Sequence, residues 1–375
     1  MYEGGTMMNY FTMLIKPASS LCNMRCKYCF YSDVSEHREV KSNGIMTEET
    51  TDILLQRVFE YVKKPSVINF AFQGGEPTLA GIKYFEYFTN RVEEMNTEGH
   101  TIHYSLQTNG YLVNEKFCEL FKKYNFLVGI SMDGPREVHD CNRVDANQQG
   151  TYDKVNQAIK LFNKYKVEYN VLSVITKQMA KKPQTLFKHY VKSNIKYVQL
   201  IPCLKSLDYK EGDTLSKYDL TPQEYAQFLK DMFHSWYEAY KSNQYISIRQ
   251  FDNLIYMVNG QPPEQCGMSG RCNLQCVVEA DGSIYPCDFY VLDQFKQGNL
   301  RENSLEEMIC SEGSKAFLDY QVPESPLCKS CKVYQLCGGG CKRYRSFYSE
   351  VEGYCPNQDF LYASYHKMLE ITKQL

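Results

Sequence analysis

The chain has 375 residues, 42 basic and 44 acidic side chains and a formal charge of -2, with a pI near 6.4. That balance offers no field suited to nucleic acid, and the length is enough for one large α/β domain plus a smaller one. No stretch approaches the ~20 uninterrupted apolar residues of a membrane span, and the opening residues lack the basic and apolar regions of a secretory signal. A cytoplasmic protein with no membrane or nucleic-acid partner is therefore expected. Sixteen cysteines argue against a disulfide framework in that reducing compartment, and metal binding is the remaining common use for so many thiols.

An apolar strand at 11–15 leads into Cys22, Cys26 and Cys29, spaced C-x3-C-x2-C. A curled loop can turn these thiols toward one point. They are one short of the four that close a zinc or iron–sulfur site, which leaves a position for something other than protein. Thr47 can cap a helix through Ile53, Leu54, Val58 and Phe59, with Glu48 and Glu49 in its first turn. A strand at 67–72 precedes Gly74-Gly75-Glu76-Pro77 and a helix over 82–95. The next strand, 102–106, ends in Gln107, Thr108, Asn109 and Gly110 before a helix over 114–124. A strand at 126–131 ends in Met132, Asp133, Gly134 and Pro135. A helix over 152–164, a strand over 169–175, a helix opened by Pro183 and a strand over 197–201 complete six βα units.

Strands alternating with helices imply a parallel sheet with right-handed crossovers. Six units are too few for the eight-stranded barrel, so the expected fold is α/β, a partial (β/α)6 TIM-like barrel. The cysteine loop and the loops at 74–77, 107–109, 131–133 and 203–204 all follow the C-terminal ends of strands. Ligands bind at that edge in parallel βα folds, so these loops are expected to share one mouth. A helix from 222 to about 241 ends the alternation. From Cys266 onward cysteine, glycine and short turns dominate, until a final helix after Pro356. The expected division is a tail at 1–10, the barrel at 11–245 and a Cys-rich module at 246–375.

That module carries Cys266, Cys272 and Cys287, then Cys328, Cys331, Cys337 and Cys341, then Cys355. These make two complete four-thiolate sites, and spacing alone fits two tetrahedral zincs or two 4Fe–4S clusters. Cys276 is an extra thiol whose place is ambiguous. Cys118, Cys141, Cys203 and Cys310 read as ordinary thiols.

The triplet after the first strand, Tyr28 within it and the GGEP loop after the second strand resemble the radical S-adenosylmethionine enzymes over about residues 10–210. That resemblance implies that Cys22, Cys26 and Cys29 hold a 4Fe–4S cluster whose fourth iron chelates S-adenosylmethionine. It further implies that Gly74, Gly75 and Glu76 meet the methionine amino end. Tyr28 and Leu204 would flank the adenine, and Ser131 and Arg143 would meet the ribose and carboxylate. The later cysteines resemble the SPASM domain, which binds two auxiliary 4Fe–4S clusters. By its interleaved pattern Cys266, Cys272, Cys287 and Cys341 would hold one, and Cys328, Cys331, Cys337 and Cys355 the other.

Segments 14–20, 29–31, 70–81, 105–110, 131–135 and 285–293 are similar to the anaerobic sulfatase-maturating enzymes almost end to end. This implies oxidation of a sulfatase cysteine or serine to Cα-formylglycine, through hydrogen abstraction at Cβ, loss of a proton and transfer of an electron to an auxiliary cluster. Asp288 stands at the family's general-base position, with Asp281 the weaker candidate, and Tyr31 and Gln73 match positions near the substrate peptide. The implied partners are an unfolded or nascent sulfatase polypeptide and an electron donor such as flavodoxin or ferredoxin, serving a monomer. The alternative is a SPASM-type maturase that forms a thioether or carbon–carbon crosslink in a ribosomal peptide. Such enzymes often carry a leader-binding domain ahead of the triplet, and the 21 residues before Cys22 weigh against one. A non-catalytic metal module leaves the GGEP loop and the convergent strand ends unexplained.

Overall fold

The computed structural model describes residues 10–210 and 213–374; the expected tail at 1–10 lies outside them except for its last residue. Six parallel strands follow the expected order: β1 (Tyr10–Ile15), β2 (Val67–Phe72), β3 (Thr101–Thr108), β4 (Leu127–Ser131), β5 (Glu168–Ile175) and β6 (Tyr197–Pro202). Each pairs with the next in sequence, as right-handed crossovers require. Their helices form where the local chemistry starts them. Thr47 accepts from the Thr50 amide at the head of Glu48–Tyr61, and Thr221 and Glu224 make a reciprocal capping box on Pro222–Lys241.

The helix layer is closed against the sheet by aromatic side chains. Phe70 and Phe72 on β2 meet Phe88 edge-on at 5.1 and 5.0 Å, and Tyr104 stacks on Phe126 at 4.9 Å. Full burial of each such ring contributes about 2–3 kcal/mol. Trp236 is buried as well, and its indole N–H donates to the Ile246 carbonyl at 2.9 Å.

The sheet extends beyond the expected six strands at both edges. The alternation continues past residue 241, because β7 (Ser247–Ile248) adds a parallel strand beside β6 and leads into the helix Arg249–Val258. Two residues are too few to display a period-two pattern. At the opposite edge β8 (Cys276–Val278) pairs parallel with β1, and β9 (Ser283–Tyr285) and β10 (Gly298–Asn299) follow antiparallel. The described residues thus form an open ten-stranded sheet, β10-β9-β8-β1-β2-β3-β4-β5-β6-β7. β1 is interior, and its last three residues are buried on both faces. Met13 and Ile15 join the main core, while Leu14 packs with Val34, Val277, Tyr285 and Val291. The closing helix Pro356–Thr372 lies against Pro222–Lys241, tied by Lys230 to Asp359 at 3.0 Å.

Candidate active site

The cysteine triplet leaves β1 and is clamped by backbone bonds from Arg25 N to Val144 O, 2.7 Å, and from Lys27 N to Asn142 O, 3.0 Å. Cys29 then caps a short helix, Phe30–Glu36, that the sequence pattern did not announce. Burial pushes the Cys22 thiol up to about 11 and the Cys26 thiol up to about 12. Such thiols ionise when a metal takes the charge. Donors are already aimed at the sulfurs: Met24 N at 3.4 Å and Asn109 Nδ2 at 3.6 Å from Cys22, and Arg143 Nη1 at 3.9 Å from Cys26. N–H groups pointing at sulfur suit metal-bound thiolates. The donor set therefore fits an iron–sulfur cluster.

The GGEP loop packs directly on this turn. Gly75 N donates to Ser19 O at 2.9 Å and Glu76 N to Leu21 O at 2.8 Å. A Cβ on Gly75 would sit 2.1 Å from the Leu21 carbonyl oxygen, so only glycine fits this close approach. The Glu76 carboxylate is buried and braces the loop ends. Its Oε1 accepts from Thr78 N, Thr78 Oγ1 and Thr108 Oγ1, and its Oε2 from Asn109 N. Asp133, fully buried, gathers three partners: the Tyr28 hydroxyl, Val174 N at 3.0 Å and Arg143 Nε at 3.0 Å. Arg143 is thereby pinned over the Tyr28 ring, 5.5 Å from its centroid. Ser131 accepts from Gln107 Nε2 at 3.2 Å at the end of β4, and Leu204 lies just past β6. The cysteine loop and the loops after β2, β3 and β4 meet at one mouth, and Leu204 follows β6 at the same edge of the sheet.

A second group lies between the barrel and the Cys-rich module. Asp288 follows Cys287 in the short turn Asp288–Tyr290, and Phe289 packs on Phe30 with ring centroids 5.0 Å apart. Tyr31 donates to Asp288 Oδ2 at 2.6 Å and lies 3.2 Å from Gln73 Oε1. Burial raises the Asp288 pKa, while Lys16 and the Tyr31 hydrogen bond oppose that rise. Burial and the Asp288 charge keep Tyr31 protonated as the donor. Asp281 instead binds Ser283 N and Oγ and holds the β8–β9 turn, which makes it structural. Lys16, Arg38 and Glu279 escaped the sequence reading: each is buried, with Glu279 Oε1 3.3 Å from Lys16 Nζ and 2.8 Å from Arg38 Nη1. Their only signal was a lysine directly after an apolar strand.

The remaining site thiols fall into two groups by the charges that act on them, and that repulsion adds to burial in raising the pKa values of Cys266, Cys287, Cys341, Cys328, Cys337 and Cys355. Cys287 feels Cys341 and Cys266, Cys341 feels Cys272 and Cys266, and Cys266 feels Cys272. The thiols felt by Cys328, Cys337 and Cys355 come only from their own set with Cys331. Backbone amides oppose the rise at several sulfurs, from Phe289 at Cys287, Arg343 at Cys341 and Gly339 at Cys337. Among the described residues no three His, Cys, Asp or Glu side chains converge as they would around a single ion. Cys276 stands apart in β8, raised to about 11 by burial alone. Cys118 and Cys203 are buried, and Cys141 and Cys310 are exposed.

Family models match the chain in two places: the radical SAM superfamily over residues 17–180 and an iron–sulfur cluster-binding domain, SPASM, over 266–332. The chain is 42% identical to a cysteine-type anaerobic sulfatase-maturating enzyme of Clostridium novyi, covering 90% of this chain and 89% of that relative. A cysteine-type enzyme of Clostridium perfringens is 39% identical, with 97% and 99% covered. The solved structure of native anSMEcpe with bound AdoMet and Kp18Cys peptide is similar at a TM-score of 0.89. It is 38% identical, over 98% of this chain and 100% of that one.

Proposed function

Because the chain belongs to the anaerobic sulfatase-maturating enzymes, we propose that the residue it oxidises to Cα-formylglycine is a sulfatase cysteine. It is a radical S-adenosylmethionine oxidoreductase with iron–sulfur clusters, and its substrate is a sulfatase; this replaces the crosslinking-maturase alternative. Cysteine is favoured over serine because the relatives at 39–42% identity are cysteine-type, whereas a serine-type enzyme of Bacteroides thetaiotaomicron is 27% identical. When bound, the clusters and S-adenosylmethionine supply the one-electron chemistry that takes a hydrogen atom from the substrate Cβ and accepts the electron left behind.

The chain's own residues divide the remaining work. Residues 11–245 carry the cofactor mouth, with Cys22, Cys26 and Cys29 as cluster ligands and Tyr28, Gly74, Gly75, Glu76, Ser131, Arg143 and Leu204 around S-adenosylmethionine. Residues 246–375 carry the two four-cysteine sites, for three clusters in all. Tyr31 and Gln73 orient the substrate peptide. Asp288 takes the proton that the substrate's Cβ–SH group must lose, after the hydrogen atom and with the electron, to become a thioaldehyde. Water then converts the thioaldehyde to the aldehyde with release of hydrogen sulfide. The observation that carries this assignment is the meeting of Tyr31 and Asp288 at 2.6 Å, one from the barrel and one beside Cys287. An unfolded or nascent sulfatase chain, a donor such as flavodoxin or ferredoxin, and a monomer working in the cytoplasm complete the proposal. Among the described residues no helix is long and apolar enough to cross a membrane.

Anaerobic turnover of paired sulfatase-motif peptides bearing Cys or Ser, read by mass spectrometry, tests it. Formylglycine from the Cys peptide is expected, and oxidation of the Ser peptide alone overturns the cysteine assignment.

A further inference from the structure

Three buried charged side chains, Lys16, Arg38 and Glu279, and the partly buried Asp288 gather where β1 meets the β8–β9 hairpin, and the reaction as described uses only Asp288. Lys16 Nζ lies 3.3 Å from Glu279 Oε1, 4.0 Å from Asp288 Oδ1 and 4.9 Å from the centroid of the Tyr31 ring. A buried ammonium persists only where its charge is answered. Glu279 already has Arg38 at 2.8 Å, so Lys16 has charge to share with Asp288. Among the described residues Asp288 Oδ1 has no hydrogen-bond partner, whereas Oδ2 holds the Tyr31 hydroxyl. The GGEP loop also makes room for the lysine. A Cβ on Gly74 would come within 3.2 Å of both Cβ and Cε of Lys16, and Gly74 has a φ of +110°.

We propose that Lys16 is a positioning residue for the oxidation step, gripping the Oδ1 side of Asp288 while Tyr31 grips Oδ2, so that the carboxylate keeps one orientation toward the peptide. This rests on the reading of Asp288 as the base. A free carboxylate samples rotations about its last bond; two opposed grips from different segments remove them before substrate arrives. The first glycine of the GGEP loop then has a second task, giving space to the lysine stem beside the cofactor mouth.

The test compares Lys16→Met with Arg38→Met and Asp288→Asn in the cluster-loaded enzyme. It reads 5′-deoxyadenosine and formylglycine separately, together with iron content, peptide KM and thermal midpoint. Lys16→Met is expected to keep iron, peptide KM and deoxyadenosine formation within about twofold, while formylglycine per deoxyadenosine falls about tenfold, a part of the ~10²–10⁴-fold a general base contributes. Arg38→Met removes the cation that answers Glu279, so it lowers the thermal midpoint and, by drawing Lys16 toward Glu279, lowers the product ratio less than Lys16→Met does. If Lys16→Met does not fold, Lys16→Gln, one bond shorter and uncharged, is expected to show the same uncoupling. An unchanged ratio in the Lys16 variants, or deoxyadenosine and formylglycine falling together as a general loss, overturns the inference. Normal formylglycine from Asp288→Asn removes the base itself; uncoupling there with a coupled Lys16 variant removes only Lys16.

Discussion

Ile15 on the first strand pairs with Val278 in parallel register, and the next amide, Lys16 N, donates to the Val278 carbonyl at 2.9 Å. The barrel's first strand and the Cys-rich module are thus neighbours in one sheet. The cysteine triplet begins seven residues after Ile15 and Asp288 stands ten after Val278. The cysteine triplet and Asp288, the proposed base, are therefore anchored to the same pair of strands, which ties the spacing between them to backbone hydrogen bonds.

Asp288→Asn keeps the shape of the side chain but removes the carboxylate proposed to take the proton. The variant is expected to hold its iron and still cleave S-adenosylmethionine, while formylglycine falls about 10²-fold or more. Mass spectrometry of the peptide beside a deoxyadenosine assay checks it. Unchanged oxidation would exclude Asp288 as base.

Gly75→Ala forces a methyl into the Leu21 carbonyl at 2.1 Å. The backbone just ahead of Cys22 must shift, at a cost in the upper part of the ~1–3 kcal/mol usual for overpacking. The expected outcome is loss of the barrel cluster with the two C-terminal sites retained. Iron analysis would show a loss of about one third, and the variant would give no deoxyadenosine.

Cys276 lies on β8 apart from both four-thiol sets, whereas Cys341 sits among Cys266, Cys272 and Cys287. Cys276→Ser is expected to leave iron per chain unchanged, and Cys341→Ser to lower it. Equal losses from the two substitutions would place Cys276 among the ligands.

His139 is fully buried, accepts from Asp133 N at 3.3 Å and lies 3.0 Å from Thr151 Oγ1; burial lowers its pKa from 6.5 to about 4. The unfolded chain binds this proton more readily than the folded one, so stability is complete above about pH 6.5 and drains away as pH falls toward 4. The full loss is on the order of 3 kcal/mol. His139→Gln is expected to be less stable at pH 7 yet to lose less between pH 7 and 5. Thermal unfolding of both proteins at the two pH values measures this, and parallel curves would exclude His139 as the titrating group.

Much of the protein is written along the chain. The six βα units, the triplet after β1 and the GGEP loop after β2 depend on local periodicity and on turn chemistry within a few residues, which a sequence displays directly. The cysteine spacings predict two complete sites beside one open one, and the resemblance to a family supplied the reaction. Distance across the fold decided the rest. β7 and β8 are two- and three-residue strands that exist because β6 and β1 offer edges to pair with, and no pattern that short can be heard locally. Glu76 turned out to brace its own loop ends, because Thr108 and Asn109 arrive from the next strand. Lys16, Arg38 and Glu279 come from segments up to 263 residues apart. Each reads as an ordinary surface charge until packing removes the water around it and leaves opposite charge to answer it.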